Sequence, residues 1–361
     1  MRSNRNPTPR PPPRFTERGR TATPRGLSRP LVLLVTLSLG LCAFSWILVF
    51  GLGKQVPAPV ETPVWSSMGV QGDLPGQFQQ PRGVTGFPDG SFVVVDRAAR
   101  VQLFAADGTP KKLWCMKDHD LGNPKGLCAL PDGNLLICDT HYGRLLKMTT
   151  DGKVLKIWGQ PGHGNAEFTH PMSAVVNEKL GRAYVVEYGE RNDRVQVFDL
   201  NGKYLMQWGS FGDADGQFQR PSGITIDVDG NLYVADAVNH RIQKFDPDGK
   251  FLAKWGEEGR DPGQLRYPYD IAIGPDGKLY VAEFNNHRVS VFERDGKFVR
   301  CFGSPGNAPG QFANPWSLGF DARGRLLVSD TGNHRVQIFD VMHETTSKTV
   351  MAAAGNTGRK D

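Results

Sequence analysis

The sequence has few cysteines, and no two of them lie close together. Its five cysteines include no Cys-x-x-Cys pair, the spacing that structural zinc sites and redox centres use. No even set at regular spacings marks a disulfide framework either. The sequence therefore excludes a small disulfide-stapled fold, and its cysteines are expected to be buried apolar residues.

The globular part also lacks an excess of basic charge. The whole chain carries 43 Lys and Arg against 37 Asp and Glu, a net charge of +6. Nine of these basic residues and one acid lie in residues 1–56, which leaves 34 basic and 36 acidic residues downstream. No nucleic-acid partner is therefore expected. Phosphate loops, serine elbows and Cys/His nucleophile motifs are absent from the sequence as well.

The N-terminal region has two contrasting parts. Residues 1–30 are rich in proline and arginine and have almost no apolar side chains, so a disordered basic cytoplasmic tail is expected. Residues 31–53 contain no charge, and as a helix they would be about 34 Å long, enough to cross a bilayer. Because a secretory signal usually has a shorter apolar core, an uncleaved transmembrane signal anchor is favoured.

The charges around this segment predict its orientation. Eight arginines precede it, whereas only Lys54 follows it directly, so the N-terminus is expected in the cytoplasm. Residues 54–62 are proline-rich and form the predicted linker. The sequence thus predicts a single-pass protein of the cell (inner) membrane, with its globular domain extracytoplasmic or periplasmic.

The globular part is built from six repeats. The string "DTGNHRVQIFD" at 330–340 returns upstream as "EFNNHRVSVFE" at 283–293 and "DAVNHRIQKFD" at 236–246. Arg194, Arg241, Arg288 and Arg335 lie 47 residues apart at each step, and weaker copies contain Arg100 and Arg144. The units share one order of short alternating runs with glycine turns, mostly Asp-Gly, and the fourth unit at 220–256 shows it most fully, in the pattern of four antiparallel strands.

Six such units predict an all-β, six-bladed β-propeller over residues 63–341. The sixth unit lacks a fourth strand, whereas "PVWSSMG" at 63–69 is an unpaired strand ahead of the first unit. The N-terminal strand is therefore expected to complete the last blade and close the ring. Tryptophans that recur in the fourth strands should pack between blades, and residues 342–361 are expected to be a disordered tail.

These repeats resemble the NHL repeat family, which is named after an Asn-His-Leu signature. This chain has Asn-His-Arg at 239–241, 286–288 and 333–335. The resemblance covers about 63–341 and implies the propeller fold. It implies little about function, because propellers host many unrelated activities.

The repeated charged residues favour a structural role. The acid and arginine of each unit flank one turn and are expected to pair across it; these structural positions include Asp236, Arg241, Glu283, Arg288, Asp330 and Arg335. His240, His287 and His334 share one register on three blades, so they should diverge rather than surround one ion. No metal site is predicted.

The residues after each unit's opening proline favour a binding role. They should ring the upper mouth of the central channel, and they differ from blade to blade: Arg82, Lys125, Met172, Ser222, Tyr269 and Trp316. Variation at one register of an otherwise regular repeat is typical of a ligand surface. Filling of the channel mouth is the alternative interpretation.

The family resemblance also implies enzyme alternatives. Amidating lyases of this type look to depend on zinc held by inward histidines, but no post-proline residue here is histidine, and His170 stands alone before Pro171. Lactonase-like propellers use a divalent ion, for which Asp270, Asn123 and Asn314 could supply oxygen ligands. Relatives that are ubiquitin ligases or RNA regulators need a RING domain or a basic face, and the sequence shows neither.

The sequence thus predicts a membrane-anchored propeller that acts as a binding or scaffold module for a protein, peptide or glycan, without a cofactor. A metal-dependent enzyme, lactonase-like or lyase-like, is the alternative.

Overall fold

The computed structural model describes residues 64–118 and 120–342. The predicted cytoplasmic tail, membrane anchor and linker, and nearly all of the predicted C-terminal tail, lie outside these residues. Among the described residues, no helix has the length and apolar character needed to cross a membrane.

The described chain consists of short strands. It starts with β1 (Val64–Met68). Blade 1 has β2 (Pro81–Gly86), β3 (Phe92–Asp96), β4 (Arg100–Phe104) and β5 (Pro110–Cys115). Blade 2 has β6 (Leu127–Ala129), β7 (Leu135–Asp139), a 3-10 helix (Thr140–Tyr142), β8 (Arg144–Met148) and β9 (Val154–Trp158). A parallel pair, β10 (Gln160–Pro161) and β11 (Glu167–Phe168), leads to blade 3, which has β12 (His170–Asn177), β13 (Arg182–Tyr188), β14 (Arg194–Asp199) and β15 (Tyr204–Trp208).

The second half repeats the same order. Blade 4 has β16 (Pro221–Ile226), β17 (Leu232–Asp236), β18 (Arg241–Phe245) and β19 (Phe251–Trp255). Blade 5 has β20 (Pro268–Ile273), β21 (Leu279–Glu283), β22 (Arg288–Phe292) and β23 (Phe298–Phe302). Blade 6 has β24 (Pro315–Phe320), β25 (Leu326–Asp330), a 3-10 helix (Thr331–Asn333) and β26 (Arg335–Phe339).

The strand pairing forms a closed ring of six antiparallel, four-stranded blades. Blades 1 to 5 each pair their strands in chain order, whereas the sixth sheet has the order β1-β26-β25-β24. In that sheet Met68 lies opposite Val336, and Val64 lies opposite Phe339. The predicted six-bladed fold and its closure by the N-terminal strand are both confirmed.

Turn glycines and tryptophans fix the spacing between blades. Gly249 has a φ of 85°, which L-residues with a Cβ rarely adopt. An added Cβ there would lie 2.5 Å from the Trp208 ring of the preceding blade. The same contact recurs between Gly152 and Trp114, Gly202 and Trp158, and Gly296 and Trp255. The fourth-strand tryptophans therefore pack against the next blade.

The hydrophobic core lies between neighbouring blades. Every residue of the second strand is buried in blades 1, 2, 4, 5 and 6. Phe92 and Phe104 of blade 1, for example, share a buried cluster with Leu327 and Ile338 of blade 6. Because each interface contains such a cluster, the ring is held by burial of apolar surface on both faces of every blade.

Candidate functional site

The repeated acid and arginine of each blade form a buried ion pair. The separation is 2.8 Å between Asp236 and Arg241 and 2.7 Å between Asp330 and Arg335. Glu283 and Arg288 are 2.6 Å apart. All three carboxylates are fully buried. Equivalent pairs join Asp96 to Arg100, Asp139 to Arg144 and Glu187 to Arg194.

These pairs fasten the loop that leads into each blade. Arg241 donates from its guanidinium nitrogens to the backbone carbonyls of Asp213, Ala214 and Gln217. Asp236 in turn accepts a hydrogen bond of 2.7 Å from the backbone N–H of Gln219. The charged groups thus satisfy backbone groups that the turn leaves unpaired. Their geometry is that of a structural element.

The repeated histidines join each blade to the next. Their φ angles are 53–55°, and each Nδ1 accepts a backbone N–H from the following blade. The donors are Tyr267 for His240 (3.1 Å), Asn314 for His287 (3.1 Å) and Gln80 for His334 (3.2 Å). Burial lowers the pKa of His240 and of His287. Between residues 64 and 342, leaving out residue 119, no group of three or more His, Cys, Asp or Glu could hold a metal ion.

The structure brings the six post-proline residues together around one central cavity of about 150 Å³. Its lining includes Arg82, Lys125, Met172, Ser222, Tyr269 and Trp316. All of these except Arg82 are less than 10% exposed. They therefore narrow the channel mouth instead of standing free on its rim.

Aromatic rings form one wall of this channel mouth. The ring centroids of Tyr269 and Trp316 lie 4.6 Å apart in an edge contact, and Tyr269 also stacks on Phe284 at 4.5 Å. The guanidinium carbon of Arg82 lies 3.8 Å from the centre of the Trp316 ring. Tyr269 and Trp316 also belong to a buried cluster that includes residues of blades 3 and 4.

Three cationic side chains converge on this wall. The Lys125 ammonium lies 5.6 Å from the Trp316 centroid and 5.7 Å from that of Tyr188. The guanidinium of Arg220 lies 5.1 Å from Tyr188 and 5.5 Å from Tyr269. Burial, followed by the charges of Arg220 and Arg82, lowers the pKa of Lys125 to about 7. Burial, followed by the charge of Arg97, lowers the pKa of Arg82 to about 10.

Sequence reasoning missed several residues of this site. Arg220 and Tyr188 are absent from the predicted ring, although Arg220 directly precedes an opening proline. Five of the six residues at that register have a φ between 51° and 72°, namely Gln80, Asn123, Arg220, Tyr267 and Asn314, and His170 is the exception. The position directly before each opening proline recurs in the sequence, so the repeat itself could have indicated a second ring of residues at the same face.

The sequence suggested that His170 stands alone, but the structure places a second histidine beside it. The ring of His141 lies 5.8 Å from it in an edge contact, and His141 Nε2 is 3.1 Å from the side-chain amide of Asn123. Burial is the main cause that lowers the pKa of both histidines, and the positive charge of Lys125 lowers it further.

Asp270 lies in the same cavity but is held by the scaffold. Its Oδ2 accepts hydrogen bonds from Ser317 Oγ (2.8 Å) and from the Leu318 backbone N–H (2.9 Å). Gly223 allows this close approach, since a Cβ there would lie 2.6 Å from Asp270 Oδ1. Burial raises the pKa of Asp270 to about 6.

The two asparagines proposed as oxygen ligands have other partners. Asn314 donates to the Phe284 carbonyl at 3.2 Å, and Asn123 contacts His141. Within the described residues, the structure therefore shows no common set of oxygen ligands formed by Asn123, Asn314 and Asp270.

Comparison with known proteins identifies the repeats. The NHL repeat family matches residues 218–245, 265–292 and 312–339, which span most of blades 4, 5 and 6. The chain is an NHL-repeat propeller. It is 31% identical over 137 residues to human NHL repeat-containing protein 3, a match that covers 37% of this chain and 38% of that protein.

More distant relatives include enzymes. Peptidyl-glycine alpha-amidating monooxygenase A of Xenopus laevis is 30% identical over 169 residues, which is 44% of this chain and 17% of that enzyme. The chain thus covers well under two thirds of these relatives. A streptogramin B lyase structure matches with a TM-score of 0.56 at 14% identity, over 77% of this chain and 99% of that one. A structure of unknown function from Bacteroides thetaiotaomicron has a TM-score of 0.58 at 14% identity, over 76% of each chain. These structural matches show the propeller fold alone.

Proposed function

We propose that this propeller is a binding module that captures a protein, peptide or glycan at the mouth of its central channel. One observation carries the proposal. Six residues of one repeat register line a single cavity and all differ, whereas the ion-paired register of the same blades keeps an acid and an arginine throughout. A rigid ring with one variable opening is a natural recognition surface.

The proposal includes presentation outside the cytoplasm by a membrane anchor at residues 31–53. It rests on the uncharged run of 23 residues and on the arginines that precede it. Protease treatment of cells whose outer envelope has been removed, with the cytoplasmic membrane intact, tests the arrangement. Digestion of the propeller from outside, with the N-terminus protected, is expected, whereas complete protection of the propeller would contradict it.

An enzyme is the second candidate function, and one feature of the cavity favours it. The cavity is lined by two ionisable groups whose pKa values lie near neutrality, at about 7 for Lys125 and about 6 for Asp270. Such shifted groups cluster at catalytic sites. The name of the amidating monooxygenase relative is consistent with this candidate.

Arrays of peptides and glycans would test the binding proposal with the full chain. Trp316→Ala removes part of the aromatic wall, and Trp255→Ala is a matched control that removes a tryptophan packed between blades. Ligands retained by the wild type should be lost in the Trp316→Ala variant and kept in the control, with both variants folded by circular dichroism. Failure of the wild type to retain any ligand, or equal retention by both variants, would overturn the proposal.

A further inference from the structure

We propose that the channel mouth holds the oxyanion of a ligand, a carboxylate or a phosphate, between Lys125 and the guanidinium groups of Arg82 and Arg220. This inference rests on the proposed binding function and names the chemistry of the group that is bound.

The first support is the absence of a protein counter-ion in the described part of the chain. Lys125 is only 6% exposed, yet its ammonium makes no hydrogen bond or ion pair with any residue in 64–118 or 120–342. Arg82 has one long contact of 3.5 Å to the amide oxygen of Gln80, and Arg220 has no ion pair within the same ranges. Buried charges in proteins are normally paired.

The acids around the mouth do not neutralise these cations. Asp270 has both oxygens engaged by hydrogen bonds within the inner strands. Asp193 accepts the backbone N–H of Arg220, not its guanidinium. Glu190 is 72% exposed and pairs with His163 at 3.0 Å. A net positive charge therefore remains where three cations meet.

The second support is unsatisfied hydrogen-bonding capacity at the same place. The Nε atoms of Arg82 and Arg220 are buried without a hydrogen-bond partner. An oxyanion would accept several such donors at once, and charge-assisted hydrogen bonds are shorter and stronger than neutral ones.

The third support is that the cations are held in place before any ligand binds. Arg82 and Lys125 share the Trp316 ring, and Lys125 and Arg220 share the Tyr188 ring. Because the aromatic wall fixes these side chains, little conformational entropy would be lost on binding. Guanidinium groups also match the geometry of carboxylates and phosphates.

Calorimetric titration of the full chain with sodium acetate and with sodium phosphate tests this inference, at constant ionic strength maintained with chloride. Saturable binding of acetate would indicate a carboxylate ligand, and saturable binding of phosphate a phosphorylated one; either result supports the proposal. Arg82→Gln and Lys125→Met should each weaken that binding at least about tenfold. The control Lys250→Gln, which removes an exposed positive charge from a hairpin turn, should leave it unchanged.

Saturable binding of neither anion, or equal binding by wild type and the Arg82→Gln variant, would overturn the inference. Near-ultraviolet circular dichroism verifies that each variant is folded. Arg82→Gln and Lys125→Met remove different cations, so each variant tests the site separately. The array experiment separates this failure from failure of the binding function. Trp316→Ala could lose an array ligand that Arg82→Gln retains and that neither acetate nor phosphate displaces. This result would support the binding function and contradict the oxyanion site.

Discussion

The propeller holds two sets of charges in buried or half-buried positions, and they differ in their partners. In the scaffold set, each of six arginines meets a buried carboxylate, and several also donate to loop carbonyls. In the mouth set, Arg82, Lys125 and Arg220 face aromatic rings and one another. In our proposal, this difference separates structural charges from ligand-binding ones. Charges that stabilise the fold are paired within it, whereas an unpaired buried charge destabilises it unless a ligand pairs with it.

Breaking a scaffold pair should have the largest effect. Asp330→Ala would leave Arg335 buried without its partner and remove the acceptor of the Ala313 N–H. A loss of about 3–5 kcal/mol in the free energy of unfolding is expected, measured by urea denaturation. A loss below about 1 kcal/mol would show that the scaffold charges do not need pairing.

Removing a mouth cation should change the free energy of unfolding in the opposite direction. Lys125→Met is expected to stabilise the protein by about 1–3 kcal/mol at pH 7, since it removes a buried group that has no counter-ion among the described residues. Thermal or urea denaturation of both proteins measures the difference. Destabilisation by this substitution would contradict the contrast between the two sets.

The difference in stability between the wild type and Lys125→Met should depend on pH in a defined way. The pKa of Lys125 falls from 10.5 to about 7 in the folded state, so the unfolded chain binds more protons between these values. Relative to Lys125→Met, the wild type should therefore gain stability as pH rises from 7 to 10.5. The charged and titratable groups that face Lys125 are Arg82, Arg220, His141, His170 and Tyr188. They remain in both proteins, so the difference reports chiefly on Lys125.

A blade-linking histidine should have a smaller effect. His240→Asn keeps a residue that tolerates positive φ but removes the imidazole acceptor of the Tyr267 N–H. A loss of about 0.5–1.5 kcal/mol is expected. Because burial lowers the pKa of His240, the wild type should lose stability as pH falls below 6.5, and the variant should lose less. Parallel pH curves would contradict this role.

An exposed ion pair should have the smallest effect. Asp151→Ala breaks the pair with Lys112, whose two side chains are 79% and 42% exposed. Solvent and salt screen such a pair, so the change in unfolding free energy should be about 0–1 kcal/mol. A cost as large as that of Asp330→Ala would show that burial does not distinguish the pairs.

Much of this architecture could be predicted from the sequence, and the reason is repetition. The register of Arg241, Arg288 and Arg335 determines the strand order, and the missing fourth strand of the last unit predicts ring closure. The post-proline register places Trp316 on the inner strand β24 and Lys125 two residues before the inner strand β6.

The approach of side chains from different loops could not be predicted. Arg220 reaches the mouth from a loop with positive φ, and His141 comes from a turn in which blade 2 departs from the Asn-His pattern. Their proximity to Lys125 depends on how the blades pack, which linear spacing does not encode. That no described residue serves as a counter-ion of Lys125 is likewise visible only when its neighbours in the fold are known.

The pKa of Lys125 tests the central claim most directly. Reductive ¹³C-methylation of the full chain and NMR titration, with Lys125→Met to assign the signal, would measure it with and without the anion that binds best. We expect a pKa of about 7 in the free protein and a rise when the anion binds, because a negative partner favours the charged amine. A pKa near 10.5 that no anion changes would contradict the account.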